Sequence, residues 1–440
     1  MNTKVRNIFV IGLDPFNLKF LRNVRNADNY AFHELLDYDE IAGARRFDME
    51  ALLEKARRIL RAFPDDIHAI VGYWDFPGVL MMPILRAEFG LRGPSLESVL
   101  MCEHKYLARV EQKRIVPDQV PDFALVDPFE EAVQDGISLD YPYWIKPVKA
   151  HSSILGFRID KLDDLRRALP LIREKIDRFS EPLDVILGYA DLPEDVPHIH
   201  GAHCIAEEII SKGHQCTLEG YVFEGDVEVY GIVDSHRGPN NSSMERYEYP
   251  SALPEPVKAR MRHSARLVLK DIGFNDSPFN MEFYYHKEHD SLAILEINAR
   301  ISKSHSPIFD KVEGVPHKEV MIDVALGRRP DYPARRGEFG YAAKFMPRLY
   351  GEQDDAVVTH APDEDQIREV AERFPGADIN LHVHEGMRMA ELSSNHRDSY
   401  SYQLADIFMG ATSREALNSD FAELMAALDI RIDDERMRPQ

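Results

Sequence analysis

Residues 279–300, FNMEFYYHKEHDSLAILEINAR, contain two runs of alternating apolar and polar residues on either side of a polar centre, His286 to Asp290. This pattern predicts a β-hairpin, because successive side chains on a strand point to opposite faces. Pairing centred on His289 places Glu282 directly opposite Glu296. The sequence therefore predicts two facing carboxylates on neighbouring strands.

The same pairing register divides the hairpin into a polar face and an apolar face. Asn280 then pairs with Asn298, and Glu296, Asn298 and Arg300 share one face because they are two residues apart. The opposite face is apolar and is predicted to belong to the core: Met281, Phe283, Leu295, Ile297 and Ala299. One side of the hairpin is therefore expected to pack into the protein, and the other to form a polar site.

Two carboxylates that face each other across strands repel, because directly opposed Cβ atoms lie only about 4.5 to 5.5 Å apart. A hard cation would compensate this repulsion, and magnesium favours carboxylate oxygens, amide oxygens and substrate phosphates as ligands. Glu282, Glu296 and Asn298 are therefore the predicted metal ligands. Arg300 is predicted to hold a phosphate or carboxylate through two hydrogen bonds. The alternative is a solvated strand face on which the acids pair with Arg300.

A second group of residues has the composition of an anion-binding loop. Lys146 and Lys149 flank Pro147 at the end of a predicted strand. The loop that follows is rich in small residues and contains His151, Ser152, Ser153 and Gly156. Small residues let backbone N–H groups approach an anion, and the lysines add positive charge. The loop therefore predicts phosphate contact, with an ordinary turn as the alternative, since it is not a Walker sequence.

Length and composition limit the classes of function. A chain of 440 residues with 44% hydrophobic residues can bury several cores, which predicts two to four packed subdomains. The net charge of -22 disfavours nucleic acid and anionic membrane surfaces as partners, because both would repel the average surface. Three cysteines without a CxxC pair, no export signal and no apolar run of about 18 residues favour a cytoplasmic protein.

The first half of the chain reads as alternating strands and helices. The strand NIFVIG, a helix from Met49 to Phe63 and the strand HAIVGY predict an α/β layer. Gly12, at the end of the first strand, is interpreted as a tight strand exit, with a phosphate loop as the alternative. Further helices are predicted at Lys105 to Arg114 and at about Leu162 to Arg178, and Ser180 to His203 is predicted to be an exposed excursion.

The second half of the chain is richer in strands. The runs CIAEEII and TLEGYVFEGDVEVYGIVDS predict antiparallel hairpins, with one helix near Pro254 to Asp271. The last segment, roughly 331 to 440, contains GYAAKFMP, INLHVHEG and a SYQLADIFMGA run that is predicted to be helical. This segment is expected to form a small separate α+β unit.

The hairpin motif ME...LEINAR, the lysine loop and the segment CIAEEIISKGHQCT, in their order and spacing, resemble the ATP-grasp superfamily. Within it the chain is similar to carboxylate-amine ligases that act on amino acids or form dipeptides. The resemblance extends to AEFGLRGPSLESVLMCEHKYLAR and HVHEGMRMAEL, so that it covers nearly the whole chain. It implies a mixed α/β and α+β architecture, the ATP-grasp fold with an N-terminal Rossmann-like domain and a small C-terminal α+β domain.

The resemblance also implies boundaries and roles for individual residues. The implied parts are residues 1–103, which precede the grasp, 104–207 with the nucleotide-binding subdomain, 208–328 with the metal site, and 329–440. Lys105 and Lys146 would contact the ATP phosphates or base, and the loop of His151, Ser152 and Ser153 would close over the phosphates. The adenine would be lined by Glu207, Glu208, Ile209 and Ile210. Magnesium, or manganese, would bind Glu282, Glu296 and Asn298, and Arg300 would stabilise the acyl-phosphate and the tetrahedral species that follows.

Four positions bear on how closely the family pattern is followed. Gln215 stands at the ribose-binding position, where an acid is usual, His151 replaces a frequent glycine, and Ala299 replaces a usual proline. Glu219 occupies a position that is often acidic in amino-acid ligases of this type. The class is therefore implied more firmly than the details of the site.

The implied function is ATP-dependent joining of a small carboxylate, an amino acid or a related acid, to an amine, with release of ADP and phosphate. Two alternatives stay open: a regulatory or scaffold protein that binds nucleotide with weakened catalysis, and a ligase with a non-amine nucleophile. A bicarbonate-activating carboxylase is disfavoured, because ISKSHSPIF after Arg300 lacks the residues expected of a biotin carboxylase. Substrate specificity is expected around Lys303, Ser304 and His305, and a homodimer is compatible with the sequence.

Histidines offer another metal hypothesis. The candidates lie in two polar segments: His198, His200 and His203, and His382 and His384. Neither group has the spacing of a complete site, which favours solvated or packed histidines over ligands.

Overall fold

An eight-stranded sheet runs through the middle of the fold and carries the polar hairpin at one edge. The computed structural model describes residues 5–44, 46–150, 154–192, 199–240, 242–393, 396–398 and 400–437. In spatial order the strands of this sheet are β12 (Ser291–Asn298), β11 (Ser277–His286), β8 (His214–Phe223), β9 (Asp226–Arg237), β10 (Met244–Tyr249), β13 (Tyr341–Phe345), β18 (Ala405–Ala411) and β16 (Asp378–Leu381). Neighbouring strands are antiparallel, as the predicted hairpins require.

A four-stranded antiparallel sheet carries the predicted lysine strand. Its strands, in spatial order, are β4 (Phe123–Val126), β7 (Cys204–Glu208), β5 (Tyr143–Pro147) and β6 (Phe157–Ile159). One face packs against a helix, α6 (Leu162–Lys175), whose Leu165 and Ile172 lie in one cluster with Tyr143 and Ile145. The amphipathic pattern of the helix thus covers one side of the sheet and leaves Lys146, on the other side, free to face a cleft.

Three parallel strands form the N-terminal sheet, in which β1 (Arg6–Leu13) lies between β2 (Tyr30–Asp37) and β3 (Ile67–Gly72). Strand β1 is buried on both faces. Ile8 and Val10 pack into one hydrophobic cluster, and Phe9 and Ile11 pack into another. A central parallel strand needs cover on both sides, which explains the unbroken apolar run in the sequence.

Helices and two minor sheets complete the layers. The remaining α-helices are α1 (Pro15–Arg22), α2 (Met49–Ala62), α3 (Gly78–Glu88), α4 (Leu96–Glu103), α5 (Lys105–Ile115), α7 (Asp177–Leu187), α8 (Glu255–Asp271), α9 (Ser306–Glu313), α10 (Lys318–Ala325), α11 (Glu364–Arg373) and α12 (Arg414–Leu428). The minor sheets pair β14 (Arg348–Tyr350) with β17 (Ser401–Gln403), and β15 (Val358–His360) with β19 (Arg431–Ile432) and β20 (Glu435–Arg436). Across the described ranges, none of the helices has the length and apolarity needed to cross a membrane.

Most of the elements predicted in the first half of the chain are confirmed, and one region differs. Strands β1 and β3 and helices α2 and α5 lie where the sequence predicts them. The helix predicted from Leu162 to Arg178 is instead two helices, α6 and α7. Helix α7 occupies part of the segment predicted to be exposed, because Phe179, Leu183 and Ile186 recur at helical spacing and are buried.

The run SYQLADIFMGA, predicted to be helical, forms strands β17 and β18 instead. Strand β18 is buried on both faces, so Ile407 and Phe408 are both in the core and the run has no period that distinguishes strand from helix. Strands β13 and β18 extend the eight-stranded sheet, with Lys344 opposite Phe408. The proposed division of the chain at residues 103, 207 and 328 stays a prediction.

Gly12, the last residue but one of β1, has a conformation that favours glycine. Its φ is +68°, and a Cβ built at this position would lie 2.6 Å from Cδ1 of Trp74. The Gly12 carbonyl accepts a hydrogen bond from Nε1 of Trp74 at 2.6 Å. Gly12 therefore serves as the tight strand exit that the sequence indicates, and it seats the indole ring of Trp74.

We expect Gly12→Ala to lower the free energy of unfolding by about 2 kcal/mol, since it adds left-handed backbone strain to a steric clash with Trp74. Urea unfolding measures the change. Gly90→Ala is the matched control, because Gly90 has a φ of +65° but nothing lies within 4 Å of its built Cβ. Equal losses in the two variants would contradict a specific role of Gly12 in seating Trp74.

Candidate active site

The polar hairpin has the predicted pairing in the half that carries the acids. Glu282 lies opposite Glu296, and Asn280 lies opposite Asn298. A β-bulge follows, so that Phe283 pairs with Ile294 and Leu295 is left over. The prediction that Leu295 belongs to the core is wrong, because the bulge turns this residue to the cleft and gives its core position to the fully buried Ile294.

The two carboxylates form an electrostatically unfavourable pair in the absence of a cation. Burial, and then the neighbouring Glu296, raise the pKa of Glu282 above its ordinary value. Gln215 Nε2 donates a hydrogen bond to Glu282 Oε2 at 3.0 Å, which fixes that carboxylate. A half-buried pair of facing acids, one of them fixed by Gln215, fits a hard cation, since such an ion would remove the repulsion.

The two asparagines brace the end of the hairpin. Asn298 Nδ2 donates to Asn280 Oδ1 at 2.9 Å, and Asn280 Nδ2 donates to the Arg300 carbonyl at 3.0 Å. The amide oxygen of Asn298 accepts a hydrogen bond from Arg300 at 3.3 Å and lies on the same polar face as the acids. The donor set of Glu282, Glu296 and Asn298 is therefore all oxygen, which suits magnesium.

Arg300 lies in the cleft, but its partners come from parts of the chain that the sequence did not connect with it. Arg300 Nη2 donates to Asp75 Oδ2 at 2.8 Å, and Lys149 Nζ donates to Asp75 Oδ1 at 2.9 Å. Lys149 also donates to Glu103 Oε2 at 2.6 Å, and the other oxygen of Glu103 accepts from the Ala299 amide at 2.7 Å. This network, which we call the Asp75–Glu103 brace, joins the lysine loop to the polar hairpin.

Sequence reasoning missed the brace, because Asp75 and Glu103 are far from the hairpin in sequence. Asp75 follows strand β3 and Glu103 is the last residue of helix α4, and both are ordinary elements. Lys149 was noted beside the loop without a partner. Its pKa is raised, since Asp75 and Glu103 together outweigh the effect of burial. A buried cation held by two acids is a signal that only the fold can reveal.

Lys105 and Lys146 reach the cleft from the other side. Lys105 begins α5, and its Nζ donates to the Ala150 carbonyl at 2.8 Å. Burial and the nearby Lys149 lower the pKa of Lys105 to about 8. Lys146 forms an ion pair with Glu207, which also accepts from Arg109 Nε at 3.1 Å. Both predicted lysines therefore lie in the cleft, although Lys146 already has an acidic partner.

The other predicted nucleotide contacts are placed as follows. Four of them line the cleft along and after β7: Glu207, Glu208, Ile209 and Ile210. The Glu207 carboxylate is directed at Lys146 and Arg109 and is not available to a ligand. Glu208, Ile209 and Ile210 line the cleft without such ion pairs among the described residues. Gln215 lies on β8 beside the acids and also accepts hydrogen bonds from Arg237 and Tyr284, each at 2.9 Å. The predicted loop residues His151, Ser152 and Ser153 lie outside the described residues.

Glu207 makes the stability of the protein depend on pH. Burial alone would raise the pKa of Glu207, but Lys146 and Arg109 outweigh it and lower the pKa from 4.5 to about 2. A depressed pKa stabilises the folded state above pH 4.5, and this contribution is lost as the pH falls from 4.5 towards 2.

We expect Glu207→Gln to lower the free energy of unfolding at pH 7 by about 3 kcal/mol, because it removes the only acid that pairs with buried Arg109 in the described residues. The difference from the wild-type protein should shrink below pH 4.5. Urea unfolding at pH 7, 5 and 4 measures both trends. A difference that stays constant over this range would refute the assignment of the shift to Glu207.

Glu219 is buried beneath the floor of the cleft. Its side chain is inaccessible to solvent, and its Oε1 forms a hydrogen bond with His305 Nδ1 at 2.7 Å. Burial raises the pKa of Glu219 and lowers the pKa of His305 to about 3. Glu219 therefore orients the segment after Arg300 and does not itself reach the cleft surface.

The cleft between the two larger sheets has a volume of ≈ 2510 Å³. A pocket for one small ligand has about 300 to 1,000 Å³, so this cleft has room for a nucleotide and further substrates. Beyond the polar hairpin its lining includes positive groups that sequence analysis did not single out as binding residues: Arg237, Lys344 and Arg348. Arg237 and Lys344 lie on β9 and β13 of the eight-stranded sheet, and Arg348 begins β14 of a minor sheet, so only the fold brings them together.

Of the histidines considered as metal ligands, His200 and His203 lie near Asp127, with candidate ligand atoms within 4.8 Å of one another. His203 Nδ1 accepts the His200 backbone amide at 3.0 Å. In a neutral ring this leaves the proton on Nε2, so the arrangement does not favour metal binding by His203. His198 lies outside the described residues. His382 stacks on His396 with ring centroids 3.6 Å apart, whereas His384 is exposed. His382 and His384 therefore do not form one site.

Comparison with known proteins agrees with this geometry. Residues 248–331, which include the polar hairpin, match the family "Carbamoyl-phosphate synthase L chain, ATP binding domain". The carbamoyl phosphate synthase large chain of Rubrobacter xylanophilus is 24% identical over 302 residues, which are 67% of this chain and 25% of that one. The chain thus spans about a quarter of the length of that relative.

Two solved structures are similar over nearly the whole chain. The L-amino acid ligase from Bacillus licheniformis has a TM-score of 0.69 at 17% identity and covers 97% of this chain and 99% of its own. The chain has the ATP-grasp fold. The biotin carboxylase domain of the Hydrogenobacter thermophilus 2-oxoglutarate carboxylase, solved with MgADP and bicarbonate, has a TM-score of 0.62 at 15% identity and covers 97% and 91% of the two chains. The ATP-grasp resemblance predicted from the sequence is confirmed.

Proposed function

We propose that this ATP-grasp protein is an ATP-dependent carboxylate-amine ligase. It would activate a small carboxylate, an amino acid or a related acid, as an acyl-phosphate, join it to an amine, and release ADP and phosphate. The observation that carries the proposal is the half-buried pair Glu282 and Glu296, which faces one cleft together with Arg300, Lys105 and Lys146. Such a set suits a reaction in which negative charge is redistributed on a transferring phosphoryl group.

Glu282, Glu296 and Asn298 would hold magnesium, or manganese. When bound, the ion would neutralise phosphate charge and align the phosphoryl group for transfer. The repulsion within the acid pair supports this assignment, because Gln215 holds the Glu282 carboxylate opposite Glu296 and neither acid forms an ion pair with a described residue. Gln215 would keep Glu282 oriented when the ion is absent.

The opposite side of the cleft would bind the nucleotide. Lys105, with a pKa of about 8, stays mostly protonated at neutral pH and would contact phosphate or base. Lys146 would contribute charge while Glu207 fixes its position. Glu208, Ile209 and Ile210 would line the adenine, and the loop of His151 to Ser153 would cover the phosphates. Exclusion of water by that cover would protect an acyl-phosphate from hydrolysis.

Arg300 would act on the reacting carboxyl group. Asp75 holds one of its nitrogens, which fixes the plane of the guanidinium in the cleft. Its remaining donors would stabilise the oxygens of the acyl-phosphate and of the tetrahedral species, where charge develops. This is the proposed catalytic role of Arg300.

A screen of ADP release tests the proposal. Purified protein with ATP and magnesium is offered pairs of amino acids and small acids, and products are identified by mass. We expect ADP release to require a carboxylate together with an amine, and the product to have the mass of both substrates minus one water. If none of the mixtures led to ADP release, a regulatory or scaffold protein would be favoured. A condensed product in which the second substrate is not joined through nitrogen would indicate a non-amine nucleophile.

A further inference from the structure

Lys303 occupies an unusual position in the cleft wall. It begins the short helical turn Lys303–His305, three residues after Arg300, and its Nζ lies 3.6 Å from the centre of the Trp74 indole ring. Trp74 is itself fixed, because its Nε1 donates to the Gly12 carbonyl at 2.6 Å. A cation on an aromatic face is stabilised only in part by the ring. The fold therefore holds an ammonium group at a defined place against an aromatic ring.

No carboxylate in the described part of the chain forms an ion pair with Lys303. Two acids, Asp14 and Asp406, act on it electrostatically, but both are engaged elsewhere. Asp14 accepts from the amide and the side chain of Asn17 at 2.9 and 2.7 Å. Asp406 pairs with Lys344 at 2.7 Å. Lys344 and Arg300 add further positive charge around Lys303, and burial and Lys344 lower the pKa of Lys303 to about 7.

One part of the cleft wall next to Lys303 is apolar. The rings of Tyr38 and Trp74 line the cleft there, with the buried Ile41 behind them, and we call the two rings the aromatic wall. Tyr38 packs against Trp74 with ring centroids 5.2 Å apart, and Ile41 lies against Gly12 at the same strand exit. A ligand that satisfied both features would carry an anionic group beside an apolar body.

Arg300 lies between this place and the polar hairpin, since its Nη2 donates to Asn298 Oδ1 at 3.3 Å and to Asp75, the neighbour of Trp74, at 2.8 Å. Resting on the proposed ligase function, we infer that Lys303 binds the carboxylate of the second substrate, the nucleophile, whose apolar side chain packs on the aromatic wall. The carboxylate that is activated would lie at the metal hairpin, on the other side of Arg300. The nucleophile is therefore an apolar α-amino acid, as distinct from ammonia or a simple amine.

Matched ligands test this inference. L-phenylalanine, L-phenylalaninamide and phenethylamine share a side chain and an amine, but only the first has a carboxylate. Binding of each in the presence of ATP and magnesium is measured by calorimetry, and ADP release is followed separately. We expect phenylalanine to bind at least about 10-fold more tightly than the other two, because it alone pairs with Lys303.

Variants at Lys303 separate recognition from stability. Lys303→Met keeps a long side chain on Trp74 and should remove the preference for phenylalanine over its amide, whereas Lys303→Arg should retain most of it. Lys270→Met, on the exposed surface of α8, is the matched control and should bind as the wild-type protein does. Thermal unfolding of each variant shows whether it is folded.

The outcomes distinguish the inference from the proposed function. Equal binding of phenylalanine and its amide, a preference that survives in Lys303→Met, or binding of none of the three would overturn the inference. Ligation could still be observed with other pairs, and the proposed function would then stand. A preference that depends on Lys303, without ADP release for any carboxylate and amine, would overturn the function and leave the anion subsite.

Discussion

Glu296→Gln is expected to reduce magnesium-dependent ADP release by about 10³-fold, the largest effect predicted for this chain. The substitution keeps the size of the side chain and removes one charge from the acid pair opposite Glu282. Without that charge the pair would no longer bind a divalent ion well, and the phosphoryl group would lose its alignment. Steady-state ADP release at saturating ATP, over a range of magnesium concentrations, measures the loss.

The same variant makes a prediction about stability that does not depend on turnover. Without magnesium, Glu296→Gln should be as stable as or more stable than the wild-type protein, because the repulsion that raises the pKa of Glu282 is relieved. Magnesium should raise the thermal midpoint of the wild-type protein and have little effect on the variant.

Glu288→Gln is the matched control for this prediction, because Glu288 is an exposed acid at the turn of the same hairpin. It should leave both the response to magnesium and ADP release unchanged. If Glu296→Gln released ADP at the wild-type rate, the hairpin would be a solvated strand face and the metal assignment would be wrong.

The hairpin shows what the sequence could and could not predict. A centre at His289 predicts that Glu282 pairs with Glu296, and the two acids do face each other. Next to the turn, however, His286 pairs with Ser291, so the strands there are centred between Glu288 and His289, and the bulge at Leu295 shifts the register by one residue to the predicted one. The bulge leaves no trace in the alternation, since Ile294 and Leu295 are both apolar and either could occupy the core. The pairing of the acids was therefore predicted correctly, whereas the turn centre and the order of the neighbouring core residues were not.

Contacts between distant segments were beyond the sequence for a different reason. Asp75 and Arg300 are 225 residues apart, and nothing near Asp75 distinguishes it from an ordinary acid after a strand. Lys303 was noted only as part of a segment expected to set specificity. Its relation to Trp74 depends on how the N-terminal sheet packs on the hairpin, and Gly12, which permits that packing, is a single glycine with no motif around it.

The second large effect is expected at Asp75, in the brace behind Arg300. We expect Asp75→Asn to lower kcat for ADP release by about 10²-fold with little change in KM for ATP. Asp75 accepts from both Arg300 and Lys149, so the neutral side chain would loosen the guanidinium and leave the buried ammonium with one acid, Glu103. Asp75 is thus a positioning residue, which acts through Arg300.

A double-mutant cycle distinguishes positioning from a general loss of stability. Lys149→Met removes the other member of the same contact, so the double variant with Asp75→Asn should lose much less activity than the product of the two single losses. Arg25, which pairs with Glu319 and Asp331 away from the cleft, supplies the comparison: Asp331→Asn weakens an ion pair of the N-terminal region without touching the brace. It should leave kcat unchanged.

Additive losses at Asp75 and Lys149 would mean that the two residues act independently, and the brace would then not be a unit. A large rise in KM for ATP in Asp75→Asn would place its effect on nucleotide binding, which the observed contacts do not favour, because Asp75 reaches the hairpin side of the cleft through Arg300. A loss confined to kcat, together with non-additivity, is the result that only a shared positioning role produces. It would tie the N-terminal sheet to the chemistry of the metal hairpin.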